Sequence, residues 1–207
     1  MPIYKNPWLK QMENQIVDTI GWSDMKNAYL PKAVDREHRA LLVFQYIVGA
    51  RPVELARIAR DKIEVERRRL KVRVKGAKGG KERLIYIPIV DEPTSFLKEY
   101  VLNKLPKQYI FPTLALMKNP RDYFRGLNEK ARIGVLHNGR FYPFSFYVFR
   151  HNIATLLTLY GADIIDVILY QGKNPRQFMG SAGTYIHASA QHAERIEKVV
   201  RKILRST

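Results

Sequence analysis

The chain has no cysteine among its 207 residues. That excludes a disulfide scaffold, a thiol nucleophile and thiolate metal sites, and it leaves the redox compartment open. Acidic residues are few beside basic ones, 19 Asp and Glu against 36 Lys and Arg. They are too scattered to form the carboxylate cluster of a two-metal nuclease. No Walker-type glycine loop is present to cradle a nucleotide. No apolar run is long enough to span a bilayer, and Met1 to Lys10 carry no signal-peptide pattern. Internal repeats, low-complexity tracts and an evident interdomain linker are also missing. A soluble, cytoplasmic protein with one principal core is the expectation.

The excess of base over acid leaves a formal net charge of +17. Solubility does not require a charge of that size, so it points to a polyanionic partner, with double-stranded DNA the first candidate. An anionic membrane surface would attract the same charge, but nothing in the chain is built to anchor there. A cysteine-free composition dense in Arg, Lys and Glu would also suit a thermophile.

Period and punctuation give a coarse architecture. After a lead containing Trp8 and Trp22, Asp35 is placed to cap an apolar-periodic helix through Leu41, Phe44 and Val48 that Gly49 closes. A short helix is expected from Pro52 to Ala59, with proline in its first turn where its missing N–H costs nothing. Leu70 to Val74 and Arg83 to Ile87 read as strands of one hairpin, with Ala77 to Gly80 as its basic turn. Helical patterns follow over Thr94 to Asn103, Asn119 to Ile133, Ser145 to Tyr160 with Ser145 as cap, Asp163 to Tyr170, and Ala190 to Leu204. The fold class is α+β and mostly α, with a small antiparallel hairpin or sheet. The division expected is a lead segment over 1–34 and one domain over 35–207.

Several segments carry chemistry. Arg51 lies in Gly49-Ala50-Arg51-Pro52-Val53-Glu54-Leu55, with Glu54 placed to orient it rather than to hold a metal. Arg150 lies in the apolar stretch Tyr147-Val148-Phe149-Arg150-His151, where partial burial makes a phosphate the fitting partner for its charge. Lys78 precedes the tight Gly79-Gly80 pair, and Lys75 and Lys81 flank it. Tyr185, one of 12 tyrosines, stands in a Gly-Ser-Ala-Gly-Thr setting that can present a phenol, whereas Tyr160 and Tyr170 sit on apolar helices and read as packing. Two guanidiniums can clamp a phosphate, an ammonium can protonate a leaving oxygen, and a phenol can attack phosphorus. Together they form a kit for breaking a phosphodiester that needs no cofactor and no metal.

In their order and local wording, these segments resemble the catalytic domain of the tyrosine recombinases, or phage-type integrases, from about Asp35 to Ala190. The first family arginine sits in a Gly-x-Arg-x-x-Glu-Leu helix start, matched by Gly49 to Leu55. The family lysine sits on a hairpin reading Gly-Lys-Gly-x-Lys-Glu-Arg, matched by Ala77 to Arg83. The His-x-x-Arg-His box aligns with Tyr147 to His151, and the Leu-Gly-His with Gln171-Gly172-Lys173. The resemblance implies that Arg51 and Arg150 hold the scissile phosphate and that Lys78 protonates the leaving 5′-oxygen. It implies that Tyr185 forms a 3′-phosphotyrosyl bond, while Lys75, Lys81 and Arg83, on or beside the basic turn, are expected to contact DNA. Tyr147 and Lys173 depart from the family's histidine positions. Each can still donate a hydrogen bond to the phosphate, but histidine proton shuttling there is lost. These departures resemble the divergent integrases of archaeal viruses and plasmids. His151 and His187 remain nearby, either as acceptors of the phenol's proton or as structural residues.

The resemblance further implies site-specific recombination by a homo-oligomer, a tetrameric synapse on DNA. The 34 residues before Asp35 are too few for the family's helical core-binding domain. The chain is then either the catalytic part of a longer protein or a short form that grips DNA from one side. A type IB topoisomerase, or a DNA-binding relative without catalysis, would share much of the pattern. Finally, Ile196, Val199, Val200, Ile203 and Leu204 form one apolar stripe on the last helix. It either packs on its own domain or docks on a neighbouring protomer, as the family resemblance implies.

Overall fold

The computed structural model describes residues 19–76, 82–137, 139–174 and 189–206. A short helical lead runs through Trp22–Asp24, Met25–Tyr29 and Leu30–Lys32. Helix α1 (Arg36–Val48) follows, capped by Asp35, whose carboxylate accepts from His38 N at 2.7 Å. From Ala40 to Val48 every residue of α1 is buried, so this is a central helix apolar on all sides. Gly49 ends it in the left-handed region, at φ 56°. The lead packs into the same core: Ile20, Trp22, Met25 and Leu30 are buried there. Trp22 lies against Tyr46, and Tyr46 Oη donates to Ile20 O at 3.0 Å. Lead and helices therefore share one core across residue 34.

Helix α2 is Pro52–Leu55, shorter than the periodicity suggested. Beyond it the backbone leaves the helix to pair elsewhere: Ile110 N donates to Ile58 O and Arg60 N to Gln108 O. Strands β1 (Ile63–Val65), β2 (Arg69–Lys75) and β3 (Glu82–Pro88) form an antiparallel sheet in that order. The expected hairpin is present, with Val74 opposite Arg83 and Lys75 opposite Glu82. The third strand, β1, is too short to show a period. Alternation buries Leu70, Val72 and Val74 of β2 with Ile85 and Ile87 of β3, while Lys71, Arg73 and Lys75 take the other side. Arg83 shares the parity of Ile85 and Ile87, and it too is buried.

Helices α3 (Glu92–Leu102), α4 (Pro112–Leu116) and α5 (Pro120–Lys130) lead to a second hairpin, β4 (Gly134–His137) with β5 (Arg140–Pro143). Helix α6 (Phe146–Leu159) starts at Ser145, whose hydroxyl accepts from Val148 N, and α7 (Ile164–Tyr170) starts at Asp163. Helix α8 (Ala190–Arg205) packs against β3 and α7. Its stripe of Ile196, Val200, Ile203 and Leu204 is buried in the common core. Its apolar area is already removed from water within the chain, which favours packing on its own domain over docking on a neighbouring protomer. The class is mostly α with small antiparallel sheets, as expected. Among the described residues, no helix is long and apolar enough to cross a membrane.

Candidate functional site

Three chain segments converge on Arg51 and Arg150. The first is the α1–α2 junction. Gly49 turns the chain out of α1, and Arg51 becomes the residue that precedes α2. Three residues on, Glu54 reaches back: its Oε2 accepts from Arg51 N at 3.0 Å and its Oε1 from Arg51 Nη1 at 2.8 Å. The Arg51 side chain keeps 38% of its surface exposed, while Glu54 is wholly covered. A guanidinium is thus fixed at one edge and open at the other, which suits the capture of an oxyanion.

Helix α6 supplies the second segment. Arg150 is half-buried; its Nη1 donates to Gly49 O at 2.8 Å and its Nη2 to Gln171 O. Gln171 returns a bond from Nε2 to Arg150 O at 3.0 Å. Gln45, buried beneath, donates to both Ala50 O and Phe146 O. These bonds stitch α1, α6 and the end of α7 together at the arginines. Burial, and then the charges of Arg51 and Arg83, push the Arg150 guanidinium down to about 10.

The third segment is the end of α7. Tyr170 is buried, its Oη donating to Ile47 O at 2.7 Å, and burial raises its phenol well above the usual range. It is a packing residue, as its apolar helix suggested. Gly172 then turns at φ 62°, and Lys173 follows. Partial burial, Arg150 and Arg51 together lower the Lys173 ammonium, so Lys173 lies within electrostatic reach of both arginines. Tyr147 sits one turn before Arg150 on α6, 52% exposed, its ring stacked on His151 with centroids 6.4 Å apart.

Arg83 departs from expectation. Instead of standing beside Lys75 to meet DNA, its side chain is 3% exposed and its Nη2 donates to Glu54 Oε2 at 2.8 Å. The reason is parity: on a strand whose alternate residues fill the core, position 83 faces inward. Glu54 therefore holds two arginines. Burial alone would raise its carboxyl, but the Arg83 and Arg51 bonds prevail and hold it at about 2. Lys75 is exposed at the end of β2. Lys78, Lys81, Tyr185 and His187 lie outside the described residues.

Sequence reasoning brought Arg51, Arg150, Glu54 and Lys173 to one place. It missed Gln45, Gln171 and the inward role of Arg83. The parity of Arg83 with Ile85 and Ile87 was the available signal.

The phage integrase family model matches residues 18–192, and the chain belongs to that family. It is similar to the tyrosine recombinase XerD of Pseudomonas putida, 25% identical over 204 residues that cover 95% of this chain and 63% of that protein. It is also similar to the tyrosine recombinase XerD of Vibrio vulnificus, 28% identical over 169 residues, 79% of this chain and 52% of the relative. The chain thus spans between half and two thirds of the length of these relatives. Among solved structures, the integrase of mycobacterium phage Brujita superposes with a TM-score of 0.56 at 19% identity, covering 91% of this chain and 60% of the integrase. The XerA recombinase gives 0.52 at 18% identity, covering 86% and 62%. At these identities the two structures establish the tyrosine recombinase catalytic fold.

Proposed function

We propose that this phage integrase family member cuts and rejoins double-stranded DNA at specific sites through a tyrosine-linked intermediate. The observation that carries the reading is the convergence of Arg51 and Arg150, one held by Glu54 and the other by the carbonyls of Gly49 and Gln171. In the proposed reaction both guanidiniums bind the non-bridging oxygens of one phosphate and stabilise the charge of the pentavalent transition state, with Lys173 and Tyr147 as further donors. Tyr185 Oη attacks phosphorus as its own proton passes to solvent, the bond to the 5′-oxygen breaks, and Lys78 gives that oxygen a proton. A 3′-phosphotyrosyl bond and a free 5′-hydroxyl result. Attack by a 5′-hydroxyl from a second duplex reverses the step and exchanges strands. Every role is assigned to a side chain, so no cofactor is invoked, and exchange requires at least two protomers on paired duplexes. The family membership supports the same reading.

A nicked duplex whose cleaved fragment diffuses away tests it, because rejoining is then blocked and a covalent protein–DNA band accumulates. The wild-type chain should give that band with EDTA present, and Tyr185→Phe should abolish it while leaving duplex affinity within about twofold, since many Lys and Arg carry binding and one hydroxyl carries attack. A persistent adduct in Tyr185→Phe would refute the assignment of the nucleophile. Joining of two specific duplexes, against relaxation of any supercoiled plasmid, distinguishes recombination from a topoisomerase.

A further inference from the structure

We infer that Arg83 is a positioning residue, which sets Arg51 through Glu54 and so ties the phosphate clamp to strand β3. The inference rests on the proposed reaction for its consequence, but the geometry belongs to the folded chain. Glu54 is fully covered, and both its oxygens are engaged: Oε1 by Arg51 Nη1, Oε2 by Arg51 N and Arg83 Nη2, at 2.8, 3.0 and 2.8 Å. A carboxylate gripped only by Arg51 could rotate with it. Gripped also by Arg83, which is buried on a sheet, it gives Arg51 a fixed reference.

Two further observations argue against simple packing. Among the described residues, Arg83 Nε and Nη1 are buried with no hydrogen-bond partner, a desolvation cost that an apolar side chain at this core-facing position would avoid. And Gly172 lies on the same guanidinium: a Cβ there would come within 2.6 Å of Arg83 Nη1. The turn that presents Lys173 therefore rests on Arg83, just as the orientation of Arg51 depends on it. One buried side chain serves two cations of the site. It also stands at the head of β3, directly after the segment that carries Lys78, so movement of that strand reaches Arg51 through only Arg83 and Glu54.

A phosphate contact and a positioning residue differ in what they do to salt dependence. Arg83→Met should slow single-turnover covalent-adduct formation on the nicked duplex by about 10- to 100-fold, the scale for removing a supporting partner. The duplex Kd should stay within about twofold, and the slope of log Kd against log salt should be unchanged. Loss of a phosphate contact would instead reduce that slope by about 1. Arg83→Lys should restore part of the rate, because an ammonium can still reach Glu54. The double variant Arg51→Ala with Arg83→Met should lose clearly less than the product of the two single losses, since much of what Arg83 does passes through Arg51. A reduced salt slope, or rate losses that multiply in the double variant, overturns the inference.

Should Arg83→Met not fold, as a thermal melt would show, Glu54→Gln and Arg83→Lys carry the same comparison. If the wild-type chain forms no adduct on any duplex, the functional reading fails by itself. The inference is then judged on the free protein by nitrogen NMR. Slow rotation of the Arg51 guanidinium, seen as separate Nη signals, should be lost in Arg83→Met, and its persistence overturns the role.

Discussion

Gly49 contributes to the site through an absent side chain. Its φ of 56° places it where L-residues are strained, and a Cβ would come within 2.7 Å of Ile153 Cγ2 and 3.1 Å of Arg150 Cα. Its carbonyl meanwhile accepts from Arg150 Nη1. Helix α6 can approach α1 this closely only because position 49 is bare. Gly49→Ala should therefore destabilise by roughly 1–3 kcal/mol and also push Arg150 off its carbonyl. Adduct formation should fall by more than tenfold even at temperatures where a melt shows the variant fully folded. At the same scale, burial and the charges of Arg51 and Arg83 lower the Arg150 guanidinium to about 10. With enzyme and substrate kept dilute, the fall of cleavage at high pH should shift upward in Arg83→Met, which removes one neighbouring positive charge from Arg150. An unmoved profile would mean that Arg83 does not bear on Arg150. The Gly-x-Arg wording was visible along the chain; that the glycine's task is to admit α6 was not, because the two residues lie a hundred positions apart.

At the scale of elements, α8 is anchored in two ways. Its apolar stripe is in the core, and its first turns are held to α7 by Asp166, which accepts from Arg195 Nε and Nη2 at 2.7 Å each and pairs with His192 Nδ1 at 2.5 Å. Burial raises the Asp166 carboxyl, but Arg195 and His192 outweigh it and keep the group below the usual carboxylate range. Truncation after His192 should then aggregate or unfold the chain rather than leave a folded monomer, because Ile196, Val200, Ile203 and Leu204 would leave the core open; sedimentation and circular dichroism measure this. A soluble, cooperatively melting truncation would restore the alternative of docking on a second protomer. Caps made α1, α6 and α7 legible, since Asp35, Ser145 and Asp163 each bond the backbone two or three residues on. Helix α2 was overextended because pairing of residues 58–60 with 108–110 cannot be read locally. The β4–β5 hairpin was not anticipated, because residues 134–143, between the helix expected to end at Ile133 and the cap at Ser145, show no strong alternation.

For the whole molecule, charge and acid stability lead to different tests. A net charge of +17 predicts duplex affinity that falls steeply and log-linearly with salt, whatever the sequence of the duplex. A flat dependence would mean that the excess charge faces something other than nucleic acid. Stability should depend on Glu54 in acid. Its carboxyl ionises in the fold at about 2 against an ordinary 4.5, so its contribution is present above about 4.5 and is lost as pH falls toward 2. Urea midpoints across that window should drop for the wild type and drop less for Glu54→Gln, which has no charge to lose.

By itself the sequence offered a candidate chemical kit and determined the class of the fold. The types Arg, Arg, Lys and Tyr in their local wording, the helix caps, the alternating strands and the basic excess are local properties, set by side-chain chemistry and by periods of two and about three and a half residues. Tertiary structure alone decided which charged groups share one environment. It turned Arg83 from a surface contact into a buried partner of Glu54, seated Tyr170 under Ile47 O and folded the last helix onto its own core. Those outcomes depend on strand parity and helix packing between residues far apart in the chain, where burial sets the cost of each charge and only the assembled neighbours can offset it.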